Sequence, residues 1–353
     1  MISISEHIQR PDADVYLTSL AMKHWHELNK INVTGEYRAN SLIAKVGKYL
    51  DLSYEASYLH DYAEGDLGKL DRHKTFFAAL LEYDNICLEQ IIVSKPEELD
   101  SIRSEIMQIL EEGDLYCVRD GIEEQTSFGR LLSEKIFSYK NFRNSISCIN
   151  LLRSIGFGST TCPYCNYNKL DLVPNLGTKA VDDDTVAYLD MDHFFSKARN
   201  PFFAISFFNL IPSCHSCNST DKGVKVFSIE SQIHPYFDSF DDYYRFRVSL
   251  IAYLGDPANE VFIDAIRNKP NDNSPGHFNL VSKYNNILPE IQSLVARYSK
   301  YKKYIGTNEE QMFVELLLGD IPQDRTNILR HATAKIKRDI LKQIDITGAL
   351  KIA

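Results

Sequence analysis

Two short cysteine pairs constrain this chain more than any other feature. Cys162-Pro163-Tyr164-Cys165 and Cys214-His215-Ser216-Cys217 are both C-x-x-C, with 48 residues between them. Two residues between cysteines let a tight turn aim both sulfurs at one ion. Two such turns complete a tetrahedral thiolate shell, the arrangement that suits Zn²⁺. A shell of four thiolates leaves no open position, so the expected zinc is structural rather than catalytic. Something folded must fill the 48 residues, and the metal would staple its two ends together. Binding worth on the order of 10 kcal/mol would then act as folding energy. His215 sits inside the second pair, and four thiolates leave it no place on the zinc.

Seven cysteines is an odd number. The remaining three, Cys87, Cys117 and Cys148, stand singly and read as small core residues. The first ten residues, MISISEHIQR, lack a basic stretch leading into an apolar run. No signal peptide is therefore expected, and a reducing cytoplasm favours metal over disulfides. No run approaches the roughly 18–20 apolar residues of a membrane span.

The chain has 353 residues, which predicts two or three domains. Net charge is −9, which excludes a protein that is basic all over. The acid is concentrated at the front. Residues 1–149 carry 16 basic and 25 acidic side chains, whereas residues 279–353 carry 12 and 8. A nucleic-acid surface therefore belongs in the middle or at the end.

The front reads as helices. Leu17, Leu20, Ala21, Trp25 and Leu28 recur at helical spacing, and so do Leu99, Ile102, Ile106 and Leu110. Ser94 and Glu97 frame Pro96 as a start signal for the second set, with Gly113 near its end. Leu131, Leu132 and Ile136 suggest a further helix. Phe246–Tyr253 reads as a strand, Asn268–Gly276 as a linker, and Ile287, Ile291, Leu294 and Tyr298 as a helix, with another over Ile328–Ile344. The expected class is α+β, mostly helical, in three parts: an acidic helical region over 1–155, a zinc-stapled core over 156–230, and a mixed, then helical region over 231–353.

Between the cysteine pairs lie Leu189-Asp190-Met191-Asp192-His193-Phe194-Phe195 and then Phe208-Asn209-Leu210. Asn218 follows the second pair directly, and Lys222-Gly223 stands close behind. This order resembles the zinc-stapled HNH nucleases, a branch of the ββα-metal (His-Me finger) fold. The resemblance covers about residues 160–225. Asn218 stands where the motif often has its last histidine. The resemblance implies a hairpin and helix in which His193 is the general base. It makes Asn209 the brace of the loop between the strands, with Asp192 and Asn218 as oxygen donors to a catalytic Mg²⁺ or Mn²⁺. The chemistry agrees with those residue types. Phosphodiester hydrolysis needs a proton acceptor near neutrality and charge neutralisation at the phosphoryl group. Lys222 is expected to contact a phosphate. Asp190 reads as a neighbouring acid, and Asp182-Asp183-Asp184 as a solvated loop.

Further along, His234-Pro235-Tyr236-Phe237 and Tyr284-Asn285 extend the likeness. With the core they resemble the nuclease subunits of Septu-type anti-phage systems, the PtuB-type proteins. That implies a DNA substrate, an ABC or SMC-like ATPase partner and no membrane. The acidic front would then dock the partner or restrain the nuclease. Two rival readings are a non-catalytic zinc module that binds nucleic acid or a protein, and an HNH ribonuclease. The Tyr298, Tyr301 and Tyr304 stripe with Lys300, Lys302 and Lys303 reads as half core and half solvent.

Overall fold

The computed structural model describes residues 2–174, 185–249 and 260–353. Helices dominate the front. Ala13–Leu28 forms the first long one, with Leu17, Leu20, Ala21 and Trp25 on its buried side. Leu42–Leu52, Leu67–Leu81, Ile86–Val93 and Pro96–Ile106 follow. The Pro96 helix starts one residue later than Ser94 and Glu97 suggest. Lys95 is its cap, and the Glu98 carboxylate accepts the Lys95 N–H at 3.0 Å. It also stops at Ile106, because Gly113 belongs to a separate short helix, Glu112–Leu115.

Among the described residues the strands form four small antiparallel sheets. One is the three-stranded sheet of Ser159–Thr161, Lys169–Pro174 and Thr185–Tyr188. Another pairs Asp190–His193 with Leu210–Ser213, so that Asp190 faces Ser213 and His193 faces Leu210. The expected strand at Phe246 is present as Tyr244–Val248, and residues 250–253 of that expectation lie outside the described residues. The acidic run at 182–184 lies outside them too. The fold is α+β, and no helix among the described residues is long and apolar enough to cross a membrane.

Two expectations near the end of the chain change. The 268–276 segment is mostly exposed but tied down at Lys269, Asp272 and Ser274 rather than a free linker. Ser274 is fully buried, and its hydroxyl bonds Asp272 and accepts the Ile233 N–H. Ile328–Ile344 is not one helix. A tight helical turn, Arg325–Arg330, is separated from Ala334–Ile344 by Thr333 at φ 57°. The Leu288–Tyr301 helix is as expected. Its Tyr298 is buried against a small satellite core with Phe313 and Leu317, while Lys300, Lys302 and Lys303 are exposed.

One apolar cluster runs from Ile2 to Ile340 and includes all four paired cysteines. The helical front therefore touches the middle of the chain at many places. Phe207 donates its N–H to Ile92 O at 2.9 Å, and Arg103 reaches the Asn200 side chain at 2.8 Å. His24 bonds Ile205 O at 2.9 Å, and Gln125 donates to Lys197 O at 3.0 Å. All four contacts land on the loop between the Asp190 and Leu210 strands.

The C-terminal region is tied in by Asn166, the residue directly after Cys165. Its φ of 49° is left-handed, a conformation asparagine tolerates better than most residues. Its amide donates to Thr161 Oγ1 at 2.7 Å and to Ile328 O and His331 O at 3.1 Å, and accepts the Lys335 N–H at 2.9 Å. Asn166→Ala removes an amide whose two N–H groups serve three acceptors and whose oxygen accepts one N–H, at a strained backbone position. It should lower unfolding free energy by about 3 kcal/mol in chemical denaturation.

Candidate functional site

The four sulfurs of Cys162, Cys165, Cys214 and Cys217 lie within 4.8 Å of one another, and all four residues are buried. Cys165 Sγ and Cys214 Sγ are 3.9 Å apart. A tetrahedron with Zn–S of about 2.3 Å has edges of about 3.8 Å, so the cluster is already the size of a zinc shell. The surroundings fit thiolates. Lys283 Nζ donates to Cys217 Sγ at 3.3 Å and Asn168 Nδ2 to Cys214 Sγ at 3.2 Å. Backbone N–H groups of Tyr167 and Cys214 reach Cys165 Sγ and Cys162 Sγ at 3.4 Å each. Burial acts to lower the Lys283 pKa, but Cys217, Asp221 and Cys165 together push it up. The Tyr284 hydroxyl bonds Cys165 O at 2.5 Å, so the Leu280–Asn285 helix clamps the first pair. The four cysteines can hold a structural zinc.

The second pair opens into a helical segment, Ser216–Lys222, wound in the wider π form. With the Asp190–His193 and Leu210–Ser213 strands it makes a hairpin and helix hung from the sulfur cluster. Strand alternation puts Met191 and His193 on one face and Asp190 and Asp192 on the other. The contacts agree with that division.

His193 faces the helical front. Its ring meets Tyr139 edge-on at 4.5 Å, and its Nε2 bonds Ala204 O at 3.0 Å. A carbonyl can only accept, so Nε2 carries the proton. Burial first, then the charges of Lys197 and Lys222, bring the His193 pKa down to about 3. The ring is therefore neutral near pH 7, and its Nδ1 keeps a lone pair with no hydrogen-bond partner among the described residues. Asn209 is fully buried and accepts the Phe195 N–H at 2.6 Å. It donates to Phe195 O at 3.2 Å and Phe203 O at 3.0 Å. It thus ties both ends of the loop that carries Ala204. Tyr139 and Lys197 were not singled out in the sequence, because neither belongs to the cysteine-framed pattern. Lys197 lies 5.1 Å over the Tyr139 ring and has no carboxylate bridge among the described residues.

The opposite face departs from expectation. Asp192 is not an open oxygen donor. Lys222 Nζ meets its two carboxylate oxygens at 2.9 and 2.8 Å, and Tyr164 donates to it at 2.6 Å. Lys222 also bonds His193 O, and Phe194 O at 3.2 Å. Both charged side chains are about 95% buried or more. Burial pulls the Lys222 pKa below the usual lysine value while Asp192 pulls it back. The expected phosphate contact at Lys222 is thus an internal cation, and a Mg²⁺ at Asp192 does not fit beside it. Asn218 does not meet Asp192 either. Its Nδ2 bonds Asp190 Oδ2 at 3.0 Å, and His215 Nδ1 is 3.0 Å from the same oxygen. The side chains of His193, Asp192 and Asn218 therefore have three separate sets of partners, although Lys222 meets both the Asp192 carboxylate and the His193 carbonyl.

What these parts define is a zinc-type four-cysteine centre carrying a small hairpin and helix within an α+β chain. A 59-residue segment, 16% of the chain, is 41% identical to protein ea31 of Escherichia phage lambda. The match spans 19% of that protein, so the chain covers about a fifth of its length. No family model matches the chain. No solved structure matches it.

Two outcomes follow from the buried groups. Lys222→Met leaves the Asp192 charge buried and unpaired, and should cost about 3–5 kcal/mol. Adding Asp192→Asn should recover at least half of that loss in a double-mutant cycle. A surface phosphate contact would give no stability change in either variant. The second outcome concerns acid. Burial lowers His24 to about 4, and His193 and His234 to about 3. The unfolded chain, with histidines near 6.5, binds more protons below that pH than the folded one. Stability is therefore fully present above about pH 6.5. It should be lost toward pH 4 at about 1.4 kcal/mol per pH unit for each histidine, as read by urea denaturation across that range.

Proposed function

We propose that this chain is a phosphodiester hydrolase of the HNH kind acting on nucleic acid, DNA first, with His193 as general base. The observation that carries the proposal is the state of that imidazole. Its Nε2 is held by the Ala204 carbonyl and its Nδ1 has no hydrogen-bond partner among the described residues, at the end of a hairpin hung from four cysteines. Nδ1 can take a proton from an attacking water, and because burial leaves the free ring a weak base with a pKa of about 3, the entry of water and an anionic phosphate has to raise its basicity. Asn209 keeps the loop that presents Ala204 O in place, so the ring needs little reorganisation during the reaction. Lys197 is the cation nearest this face by its effect on His193, and it is assigned here to the phosphate in place of Lys222. The charge that gathers on the phosphoryl oxygens needs a cationic group of this kind.

A non-catalytic zinc module has one observation in its favour, the commitment of Asp192 to Lys222. One assay separates the two readings. Purified protein is incubated with supercoiled plasmid and with folded RNA, in Mg²⁺, in Mn²⁺ and in EDTA. His193→Ala should lower cleavage by about 10²–10⁴-fold while zinc content stays the same. Lys197→Met should lower it as well. Cleavage by His193→Ala at the unaltered rate would remove the general base. No cleavage of either polymer in any metal would leave the binding module. Cutting of RNA but not plasmid would move the substrate class and keep the mechanism.

A further inference from the structure

The two aspartates of the hairpin differ in how far their oxygens are already committed. Asp192 is neutralised by a buried ammonium and bonded by Tyr164, so its oxygens are used. Asp190 has no lysine or arginine bridge among the described residues. Around its Oδ2 stand His215 Nδ1 at 3.0 Å and the Asn218 amide at 3.0 Å. Ser219 Oγ is 3.4 Å from the same His215 nitrogen. The side chain of His215 is 80% exposed and that of Asp190 32%, so the group opens to solvent.

We infer that Asp190, His215 and Asn218 form a divalent-cation site on the outer face of the second cysteine pair, distinct from the four-sulfur cluster. The spacing suits it. An octahedral ion with bonds of about 2.1 Å has neighbouring ligand atoms about 3.0 Å apart. The hydrogen bond from Asn218 would be exchanged for a metal bond by turning the amide, which brings Oδ1 to the front. His215 aims Nδ1 at the carboxylate, which can only accept, so Nδ1 carries the proton there, and a cation would take that proton's place as it moves to Nε2. The set carries one negative charge and three protein donors. It leaves the rest of the shell for water or a phosphate oxygen. An imidazole among the ligands favours Mn²⁺ over Mg²⁺. The helix that supplies Asn218 starts inside the cysteine pair that supplies His215, so a metal-filled sulfur cluster would fix both at once. The inference rests on the hydrolase reading only for what the cation would do, because binding itself requires no cleavage.

The test is Mn²⁺ titration of the zinc-loaded full chain, read by loss of the free-ion electron paramagnetic resonance signal, with zinc content and thermal melting as controls. One Mn²⁺ per chain should bind. His215→Ala, at an exposed position, should weaken it several-fold, and Asp190→Asn by at least about tenfold. Asp192→Asn, provided it retains zinc and melts cooperatively, should bind as the unaltered chain does. Absence of a bound Mn²⁺ in the unaltered chain overturns the inference. So does loss of binding in Asp192→Asn with retention in both His215→Ala and Asp190→Asn. A chain that binds Mn²⁺ through Asp190 and His215 yet cuts nothing keeps this site and ends the hydrolase reading. A chain that cuts with its metal held at Asp192 does the reverse.

Discussion

Four sulfurs gathered within 4.8 Å set the terms for the middle of this protein. Four thiolates around Zn²⁺ leave two negative charges in a buried place, a costly state unless it is answered. The answers come from three parts of the chain. Asn168 and the Tyr167 N–H belong to the loop after the first pair, and Cys214 donates its own N–H. Lys283 arrives from the C-terminal region and is shared with Asp221. A zinc ion bound there on the order of 10 kcal/mol would rival the whole stability of an ordinary domain, about 5–15 kcal/mol. Metal, front and C-terminal region are therefore coupled rather than stacked end to end.

That coupling explains why the loop between the strands can be long and still hold a side chain in place. Residues 194–209 are bonded by the front at Lys197, Asn200, Ile205 and Phe207, from three helices and the end of a strand. Asn209 closes the loop on itself. A loop of this length would lose much of its order if the front were absent. The front thus serves the hairpin directly, whatever else its acidic surface meets.

Local chemistry made part of this legible in advance. Cysteine spacing located the sulfur cluster, because C-x-x-C geometry is set within four residues. Helical periodicity located Ala13–Leu28 and Leu288–Tyr301, whose apolar faces repeat over three or more turns. Asn209 as the brace of the hairpin loop is an implication of the HNH resemblance, not of local chemistry. Other features depend on contacts between distant residues and leave no local trace. Asn166 meets Ile328, His331 and Lys335 across more than 160 positions. Thr333 breaks the last helix through a backbone angle that nothing in the flanking apolar pattern demands. Lys197 and Tyr139 matter only because the fold brings them to His193.

The difference in partners between Asp190 and Asp192 has a geometric cause. Two residues along a strand advance about 6.6 Å and keep the same face. Four residues of the wider π segment fall a little short of one turn and return to nearly the same side. Asp190 and Asp192 on the strand therefore match Asn218 and Lys222 on the helical segment as two rungs of one ladder. The first rung, Asp190 with Asn218, is short and polar and lies toward solvent. The second, Asp192 with Lys222, is long and charged and lies inside, where the lysine ammonium sits 4.8 Å over the Phe227 ring. Sliding the helix by one rung would set Asn218 against Asp192 and leave Lys222 without its carboxylate in the core. A buried unpaired charge costs more than a surface hydrogen bond yields, so the inner rung decides the register and the outer one follows.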